Sequence, residues 1–394
     1  MGWRSALREV RRMRFVEVYD RFQQGRLSCA EAADVLGMSE RTFLRYRGRY
    51  AAEGEDGLLD RRMGRMSGRR APTDVVTQVI ELYATRYFDF NVKHFHEKLV
   101  SDHGFGFSYA WTKRVLQDAG QIKPRYRRGP HRKKRERKPL PGMMLHQDGS
   151  QHYWVPDEQW DLIVTMDDAT SEIYSAFFVE EEGTMSSFQA LLEVIGSHGL
   201  FGTLYADRGS HYWITKSTGK GVDRETPTQV RRALDQLGIT LIPASAPEAR
   251  GRSERMFGTL QGRLPQELRA AGITSMAAAN RYLREVFLPV HNRRFQVASA
   301  EPDTAFVSYI GPDLKEVLCI QEDRIVGRDN CVSYQRLSLQ LPPDRHRHHH
   351  VKAKVRVHQY PDGKLAVFRG HRCLARYQTD GRLVAESENE KTAA

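Results

Sequence analysis

The order of apolar and polar positions predicts a helical start to the chain. Four apolar residues recur at three- and four-residue intervals and predict a helix over 13–24: Phe15, Val18, Tyr19 and Phe22. Ser28 and Glu31 have the spacing of a capping box, which predicts a second helix. Gly37 permits a tight turn, and Ser39 can cap a third helix. Two short helices joined by such a turn are typical of a helix-turn-helix.

A second helical unit is predicted over 72–120. Pro72 is placed to open a helix, the stretch 92–102 predicts another, and Ser108 can cap a third. We interpret this unit as a second helix-turn-helix or a winged-helix module. We expect its aromatic side chains to form a core rather than a surface that stacks on bases.

From Met143 the pattern changes to alternating strands and helices. Apolar runs over 143–154, 161–169 and 173–181 predict three strands in series, the first ending near Asp148. The remaining elements are predicted in this order: a helix over 185–199, a strand over 201–207, a helix over 227–238, a strand over 239–243 and a helix over 246–268. This order is expected of an RNase H-like α/β fold in which one edge of the sheet is antiparallel.

The last of these helices carries a carboxylate in an unusual position. At about 100° per residue, Glu254 falls on one stripe with Phe257, Gln261, Leu264 and Leu268. Carboxylates are rare on a stripe that faces a core. Glu254 therefore either lies near water or beside one of the neighbouring arginines, or completes a metal site with Asp148 and Asp207.

The C-terminal part of the chain is predicted to form β structure. After Pro289, the stretch 291–306 begins as an exposed linker. Apolar and polar residues then alternate over 332–341, 351–360 and 364–370, and Pro361-Asp362-Gly363 marks a hairpin turn. These strands predict a small β-barrel.

The predicted fold class is multidomain, with N-terminal all-α helix-turn-helix modules, a central α/β RNase H-like catalytic core and a C-terminal small β-barrel. Six segments are predicted: a helix-turn-helix domain over 1–53, a flexible basic linker over 54–71, a second helix-turn-helix or winged-helix domain over 72–120, a basic linker over 121–140, the core over 141–300 and the β-barrel domain over 301–394.

Positive charge is concentrated in the first third of the 394-residue chain. Residues 1–138 hold 31 Lys and Arg against 17 Asp and Glu, whereas the remainder holds 30 against 32. This asymmetry indicates a polyanionic partner, most simply double-stranded DNA. We expect two groups to bind DNA: Arg41, Arg45, Arg47 and Arg49 on the third helix, and Arg127, Arg128, Arg132, Lys133 and Lys134 in the linker over 121–140.

Asp148, Asp207 and Glu254 suit the chemistry of phosphoryl transfer. Two Mg²⁺ ions about 3.5 to 4 Å apart can activate an oxygen nucleophile and neutralise the leaving oxygen, provided that the protein supplies hard oxygen ligands on rigid elements. Two acids at or near strand ends and one on a packed helix meet that need. Each acid alone is weak evidence, and their joint placement on this order of elements is stronger.

Three segments carry a family resemblance. MLHQDGSQHYW, LYADRGSHYW and PEARGRSERMFGTLQGRL resemble the catalytic segments of DDE transposases of the retroviral-integrase superfamily, and the whole chain resembles an ISNCY-like insertion-sequence transposase. The resemblance implies that Asp148, Asp207 and Glu254 are both the catalytic residues and the ligands of two Mg²⁺ or Mn²⁺ ions. It also implies that water and then a DNA 3′ hydroxyl attack the phosphate, without a covalent protein intermediate.

The chain departs from the family pattern at two places. Many insertion-sequence relatives carry Lys or Arg seven residues after the glutamate, where this chain has Gln261, and Arg255 or Arg263 could substitute. The separation of Asp207 and Glu254 also exceeds the usual spacing, which fits an inserted polar loop over 213–226.

Other residues compete for roles in the site. Asp167 and Asp168 could supplement the triad, although we expect them to start a turn. His146 and His211 could contact a phosphate, or could be polar rim residues. The aromatic residues beside the triad could stack on a base, although core packing is the default: Trp154, Tyr212 and Trp213. A histidine cluster could bind a metal, although a DNA-facing or solvated loop is expected: His346, His348, His349 and His350.

The resemblance also implies the partners and setting of the chain. It predicts binding to the terminal inverted repeats of a transposon and to target DNA, as a homo-oligomer, a dimer or larger, on paired ends. Four scattered cysteines, the lack of about 18 consecutive apolar residues and the lack of a secretory segment predict a protein of the bacterial cytosol with no membrane partner. Two alternatives are a non-catalytic DNA-binding regulator and a related nuclease.

Overall fold

The computed structural model describes residues 3–59, 71–124, 136–215, 222–223, 226–244, 247–343 and 348–384. Its α-helices are α1 Trp3–Gln23, α2 Cys29–Val35, α3 Glu40–Glu53, α4 Thr73–Thr85, α5 Val92–His103, α6 Tyr109–Asp118, α7 Thr184–His198, α8 Gln229–Gln236, α9 Pro247–Gln261, α10 Leu264–Ala270, α11 Met276–Tyr282, α12 Leu288–Phe295 and α13 Leu314–Val317. Its strands are β1 Met144–Val155, β2 Glu158–Asp167, β3 Ile173–Val179, β4 Thr203–Ala206, β5 Ile214–Thr215, β6 Val222–Asp223, β7 Thr240–Pro243, β8 Ile320–Ile325, β9 Cys331–Tyr334, β10 Leu337–Gln340, β11 Lys354–Gln359, β12 Leu365–Arg369 and β13 Arg372–Tyr377.

The first three helices pack around an aromatic core. Phe15 and Phe43 are buried in this core, with their ring centroids 5.9 Å apart. The Ser28 and Glu31 capping box is formed, and the Ser39 hydroxyl accepts a hydrogen bond from the backbone of Thr42. The helix-turn-helix prediction for this region is confirmed.

Helices α4, α5 and α6 share a second aromatic core. Its buried apolar members are Val79, Tyr83, Tyr87, Phe90, Phe95, Leu99 and Leu116. Asn91 caps α5 and Ser108 caps α6 by accepting backbone hydrogen bonds. The aromatic residues of this unit therefore stabilise its core, as the pattern predicts.

A five-stranded sheet lies at the centre of the chain, in the order β3-β2-β1-β4-β7. Strand β2 is antiparallel to both of its neighbours, β1 and β3, whereas β4 and β7 run parallel to β1. Helices α7 and α8 share a core with Leu145 and Leu204 on one face of the sheet. Helices α9, α10 and α11 share a core with Leu162 and Val164 on the other. This mixed α/β arrangement is the predicted RNase H-like core.

Three local predictions in the core are wrong. Strand β1 does not end near Asp148 but continues to Val155, because its antiparallel pairing with β2 continues to Glu158. The stretch 246–268 is not one helix, since α9 ends at Gln261 and α10 begins at Leu264 after Arg263 leaves helical geometry at φ −138°. The supposed linker begins inside α12, where His291 is buried.

The C-terminal region is antiparallel β structure, as predicted. Strands β13, β12, β11 and β8 form one sheet in that order, and β10 and β9 form another. Residues of both sheets share one core that includes Val332, Leu339, Val357 and Tyr377. Pro361 lies in the turn between β11 and β12, where the hairpin was predicted.

The chain divides into two compact units, Met1–Val76 and Thr77–Ala394. The core and the C-terminal β region belong to the second unit. In the part of the chain that is described, no helix is both long and apolar enough to span a bilayer.

Candidate active site

Asp148 and Asp207 become neighbours through the register of two parallel strands. Gln147 of β1 pairs with Ala206, the last residue of β4, so Asp148 follows on β1 and Asp207 comes directly after the end of β4. Adjacent strands lie about 4.8 Å apart, and residues at matching positions point to the same face. Both aspartates are half-buried. The sheet thus brings together two carboxylates that are far apart in sequence.

The two aspartates line one small cavity. Its other lining residues include His146, Tyr205 and Ser253. The cavity volume is about 10 Å³, which is the space of roughly one water molecule. Ser253 of α9 is buried, so the helix that follows the sheet closes this cavity from the other side.

Two polar links hold α9 along β1. Near one end, Asp168 accepts hydrogen bonds from Arg252 of α9 and from His146 of β1, the latter at 2.7 Å. Near the other end, the Gln261 amide donates to the Ser150 hydroxyl at 2.9 Å. Every second side chain of β1 points to the face that α9 covers, and these side chains include His146, Asp148 and Ser150. Asp148 therefore lies between the two links.

The spacing of the links fits the geometry of a helix beside a strand. Nine helical residues from Arg252 to Gln261 span about 13.5 Å, and four strand residues from His146 to Ser150 span about 13 Å. Helix α9 consequently follows β1 in the same direction. Glu254 comes immediately after the cavity-lining Ser253, so it lies on the turn of α9 that faces this part of the site.

Glu254 itself is exposed, which corrects the predicted stripe. Phe257 and Leu264 are buried as expected, but Glu254 is not on their core-facing side. Ser253 and Leu260 lie in the middle of the face that α9 buries, and Glu254 lies about 100° around the helix from Ser253. An exposed glutamate at this place needs no partner in the core.

The carboxylates suit a hard cation, although they are not drawn together tightly. Within the described ranges, no three His, Cys, Asp or Glu side chains form a group that could hold a metal ion. Asp148 on β1 and Asp207 directly after β4 nonetheless line the same cavity and offer carboxylate oxygens, which are the donors that Mg²⁺ prefers. Asp207 also accepts a hydrogen bond from the backbone of Gly209 at 2.7 Å, which fixes one of its oxygens.

A third acid, Glu182, adjoins the aspartate pair and was not singled out in the sequence. One Glu182 oxygen lies 3.4 Å from the His211 ring nitrogen. Another lies so close to Gly149 that a Cβ added there would be 2.2 Å from it. Burial raises the pKa of Tyr212 well above its ordinary value, and the charges of Glu182, Asp207 and Asp148 raise it further. Negative charge therefore converges at this end of the sheet.

No pattern around Glu182 could have revealed this contact. It follows β3 in an acidic run whose exposure looks ordinary in sequence. Only the glycine directly after Asp148 leaves room for its carboxylate. His211, which pairs with Glu182, stays a candidate for contact with a phosphate.

Asp167 and Asp168 form hydrogen bonds that hold the elements around the site together. Asp167 accepts hydrogen bonds from the Thr170 backbone and hydroxyl, so it starts the turn after β2 as predicted. Although burial raises the pKa of Asp168, hydrogen bonds from His146, the Lys138 backbone and Arg252 outweigh it, so that this pKa lies well below its usual range. His146 is consequently a buried link, not a rim residue.

Two residues expected near DNA are used inside the protein. Gln261 is bound to Ser150, and Arg263 is 11% exposed and paired with Glu97 at 2.6 Å. Arg263 therefore does not replace the missing family cation. Arg255 is exposed on α9, directly after Glu254, and remains available for that role.

The aromatic residues beside the triad belong to the core. Trp154 is fully buried and its indole N–H donates to the Trp160 carbonyl at 2.9 Å. Tyr212 and Trp213 are also buried. Core packing, the default expectation, is confirmed for all three.

Helix α3 exposes most of the arginines expected to read DNA. Arg41, Arg45 and Arg47 are exposed, and Arg49 is half-buried. The Arg45 and Arg49 guanidinium groups lie 5.8 Å from the Tyr46 ring centroid, which holds them on the helix surface. The linker residues predicted to bind DNA all lie outside the described residues: Arg127, Arg128, Arg132, Lys133 and Lys134.

The remaining candidates give no further site. His346 and most of the loop over 213–226 also lie outside the described residues. His348 and His349 are exposed, whereas His350 is buried and its backbone donates to Asn330 at 2.6 Å. The described histidines of this cluster do not form a metal-binding group.

Known proteins match the N-terminal region and most of the length of the chain. Residues 18–75 match the family model described as winged helix-turn helix. Transposase y4bF of Sinorhizobium fredii is 33% identical over 361 residues, which cover 90% of this chain and 78% of the relative. The chain belongs to the transposase family.

A second relative agrees with this placement. The transposase for insertion sequence IS1202 of Streptococcus pneumoniae is 25% identical over 306 residues, covering 69% of this chain and 66% of the relative. The winged helix-turn-helix match lies on the first helical region of the transposase, whereas the sequence suggested a winged helix for the second.

Solved structures of integrases are more distant. A simian T-cell lymphotropic virus intasome chain is 14% identical with a TM-score of 0.32, and the matched region covers 73% of this chain and 91% of that one. The HTLV-2 integrase catalytic core domain in complex with magnesium is 16% identical with a TM-score of 0.28, covering 37% of this chain and 89% of that one. The RNase H-like core fold of the transposase rests on its own strand order, β3-β2-β1-β4-β7.

Proposed function

We propose that this transposase binds the terminal inverted repeats of an insertion sequence and catalyses metal-dependent cleavage and transfer of DNA strands. The observation that carries the proposal is the β1 and β4 register, which makes Asp148 and Asp207 adjacent at one end of the sheet. Membership of the transposase family supports DNA as the substrate. The finer assignment to an ISNCY-like element and to the bacterial cytosol is part of the same proposal.

In this proposal, Asp148 and Asp207 hold hard cations between them, and Glu254 supplies the third carboxylate from α9. Bound Mg²⁺ or Mn²⁺, two ions per site, would activate the attacking hydroxyl and neutralise charge on the scissile phosphate. Glu254 follows the cavity-lining Ser253 directly on α9, and its exposed carboxylate would be the third ligand. The Arg252 and Gln261 links keep that helix aligned with β1.

The arginines of α3 would bind and position the DNA before strand cleavage. Arg41, Arg45 and Arg47 are exposed on the second helix of a helix-turn-helix, which is the helix that enters the major groove in such motifs. The basic linker over 121–140 would add contacts with backbone phosphates. A dimer or larger oligomer on paired element ends completes the proposal.

The test is strand cleavage and joining on labelled element-end DNA with Mg²⁺ or Mn²⁺. We expect wild-type protein to nick the 3′ ends and join them to target DNA. Asp148→Asn, Asp207→Asn and Glu254→Gln should lose both products while retaining end binding, and the exposed Glu285→Gln should behave as wild type.

Three outcomes would contradict parts of the proposal. Wild-type joining by Glu254→Gln would remove that residue from the triad. End binding without any nicking by the wild-type protein would favour a non-catalytic DNA-binding regulator. Hydrolysis without joining would favour a nuclease.

A further inference from the structure

A second, larger cavity lies away from the aspartates, where α5 meets α10 and α12. Its volume is about 400 Å³, in the range of sites for small ligands. Part of its wall is apolar and includes Phe287, Val290 and Phe295. It contains none of Asp148, Asp207 or Glu254, so its role is separate from that of the proposed active site.

Basic side chains outnumber acidic ones around this cavity. Its four cations are Lys98, Arg263, Arg293 and Arg294, and its two carboxylates are Glu97 and Glu267. Glu97 is shared by Arg263 and Arg294, and Glu267 binds Lys98 at 2.8 Å. The exposed Arg293 has no ion-pair partner among the residues that the structure describes. A surplus of two positive charges is therefore left for a ligand.

A buried histidine in the wall is incompletely bonded. His291 is 5% exposed, and its Nδ1 atom has no hydrogen-bond partner within the described part of the chain. Burial and the nearby Arg263 lower the pKa of His291 to about 4, so that the ring is neutral at pH 7. A neutral ring can donate one hydrogen bond. An unpaired buried nitrogen is unfavourable, and a polar ligand group that reached it would satisfy it.

We propose that this cavity binds a phosphate group, carried either by a DNA strand or by a small phosphate-bearing molecule. Arginine guanidinium groups match the tetrahedral oxygens of phosphate through paired hydrogen bonds. Arg293 and Arg294 come from the last turn of α12, and Arg263 from the break between α9 and α10. The apolar wall can pack against the sugar or base that carries the phosphate.

The first experiment measures the binding of inorganic phosphate to the full chain by calorimetry, at constant ionic strength and without divalent metal. We expect saturable binding by the wild-type protein in the millimolar range. Arg293→Ala should bind about tenfold more weakly, the loss of one charge-assisted hydrogen bond, and Arg293→Glu should not bind. Arg284→Ala is the matched control, because Arg284 is exposed nearby on the turn before α12 and does not line the cavity. Its affinity should equal that of wild type.

Absence of binding by wild type, or equal binding by wild type and Arg293→Glu, would overturn the proposal. Competition with a labelled DNA duplex then identifies the source of the phosphate. If DNA supplies it, phosphate competes and Arg293→Ala weakens duplex binding. If a small molecule supplies it, Arg293→Ala loses phosphate and keeps its affinity for DNA. None of these measurements needs strand cleavage, so failure of the proposed catalysis would leave them unchanged.

Discussion

Replacing Asp168 by Asn tests whether the buried link between α9 and β1 holds the candidate site together. The Asp168 side chain is 0% exposed and the Arg252 side chain is 15% exposed. The carboxylate accepts hydrogen bonds from His146, the Lys138 backbone and Arg252. A carboxamide can accept at one oxygen, but its NH₂ group must then face other donors. The substitution also removes the negative charge with which Arg252 pairs.

The geometry of the Asp168 link sets the expected loss in the free energy of unfolding. Removing one partner of a buried ion pair costs about 3 to 5 kcal/mol. Because Asn keeps one acceptor, we expect the lower end, about 3 kcal/mol. Hydrogen exchange measured by mass spectrometry reports the opening of β1 and α9 separately from the rest of the chain. A loss of about 3 kcal/mol should accelerate exchange in these peptides roughly 100-fold.

The pH dependence of stability tests independently whether the ionised Asp168 carboxylate stabilises the folded protein. The folded pKa of Asp168 is depressed, so its stabilising contribution is complete above the unfolded pKa of about 3.9 and is lost as pH falls towards the folded value. The stability difference between wild type and Asp168→Asn should be constant from about pH 8 to 5 and should shrink below about pH 4.

Asp303→Asn is the matched control, because Asp303 is exposed and its removal should change nothing. Less than about tenfold acceleration in Asp168→Asn, or an equal effect in the control, would refute the reasoning. If exchange accelerates and joining activity also falls, the link positions α9 for catalysis. If exchange accelerates without any loss of joining, it is only structural.

Three further outcomes are expected. Glu97→Gln should leave Arg263 buried without a counter-charge and lower the free energy of unfolding by about 3 kcal/mol. Hydrogen exchange in α5 and α10 should become faster, whereas the exposed Glu81→Gln should leave it unchanged. Hydrogen bonds from His358, Tyr360 and Arg376 overcome the effect of burial and lower the pKa of Glu316 to about 2. The C-terminal β region should therefore lose stability as pH falls from about 4.5 towards 2. An acid titration of Glu316→Gln should lack this transition. Arg41→Ala with Arg45→Ala should weaken DNA binding and reduce the slope of log affinity against log salt by about 0.9 per lost phosphate contact; an unchanged slope would place the DNA elsewhere.

Local sequence determined the elements whose causes are local. Ser28, Ser39 and Ser108 cap helices because a side-chain hydroxyl reaches a backbone amide only a few residues away. Strands β2 and β3 contain apolar runs because both faces of the sheet are covered there. These signals were enough to predict the order of elements, and that order predicted the RNase H-like core and the antiparallel C-terminal region.

Tertiary structure decided how the candidate site is built. The pairing of β1 with β4 makes neighbours of Asp148 and Asp207, and no spacing in the sequence encodes that register. The approach of Glu182 to Gly149, and the diversion of Arg263 to Glu97, depend on elements that meet only after folding. Periodicity misplaced Glu254 because only packing decides where the buried face of α9 is centred, and that centre is near Ser253, about 100° from Glu254. Local propensity therefore determined which elements this transposase has, and long-range packing decided which of its charged side chains face one another.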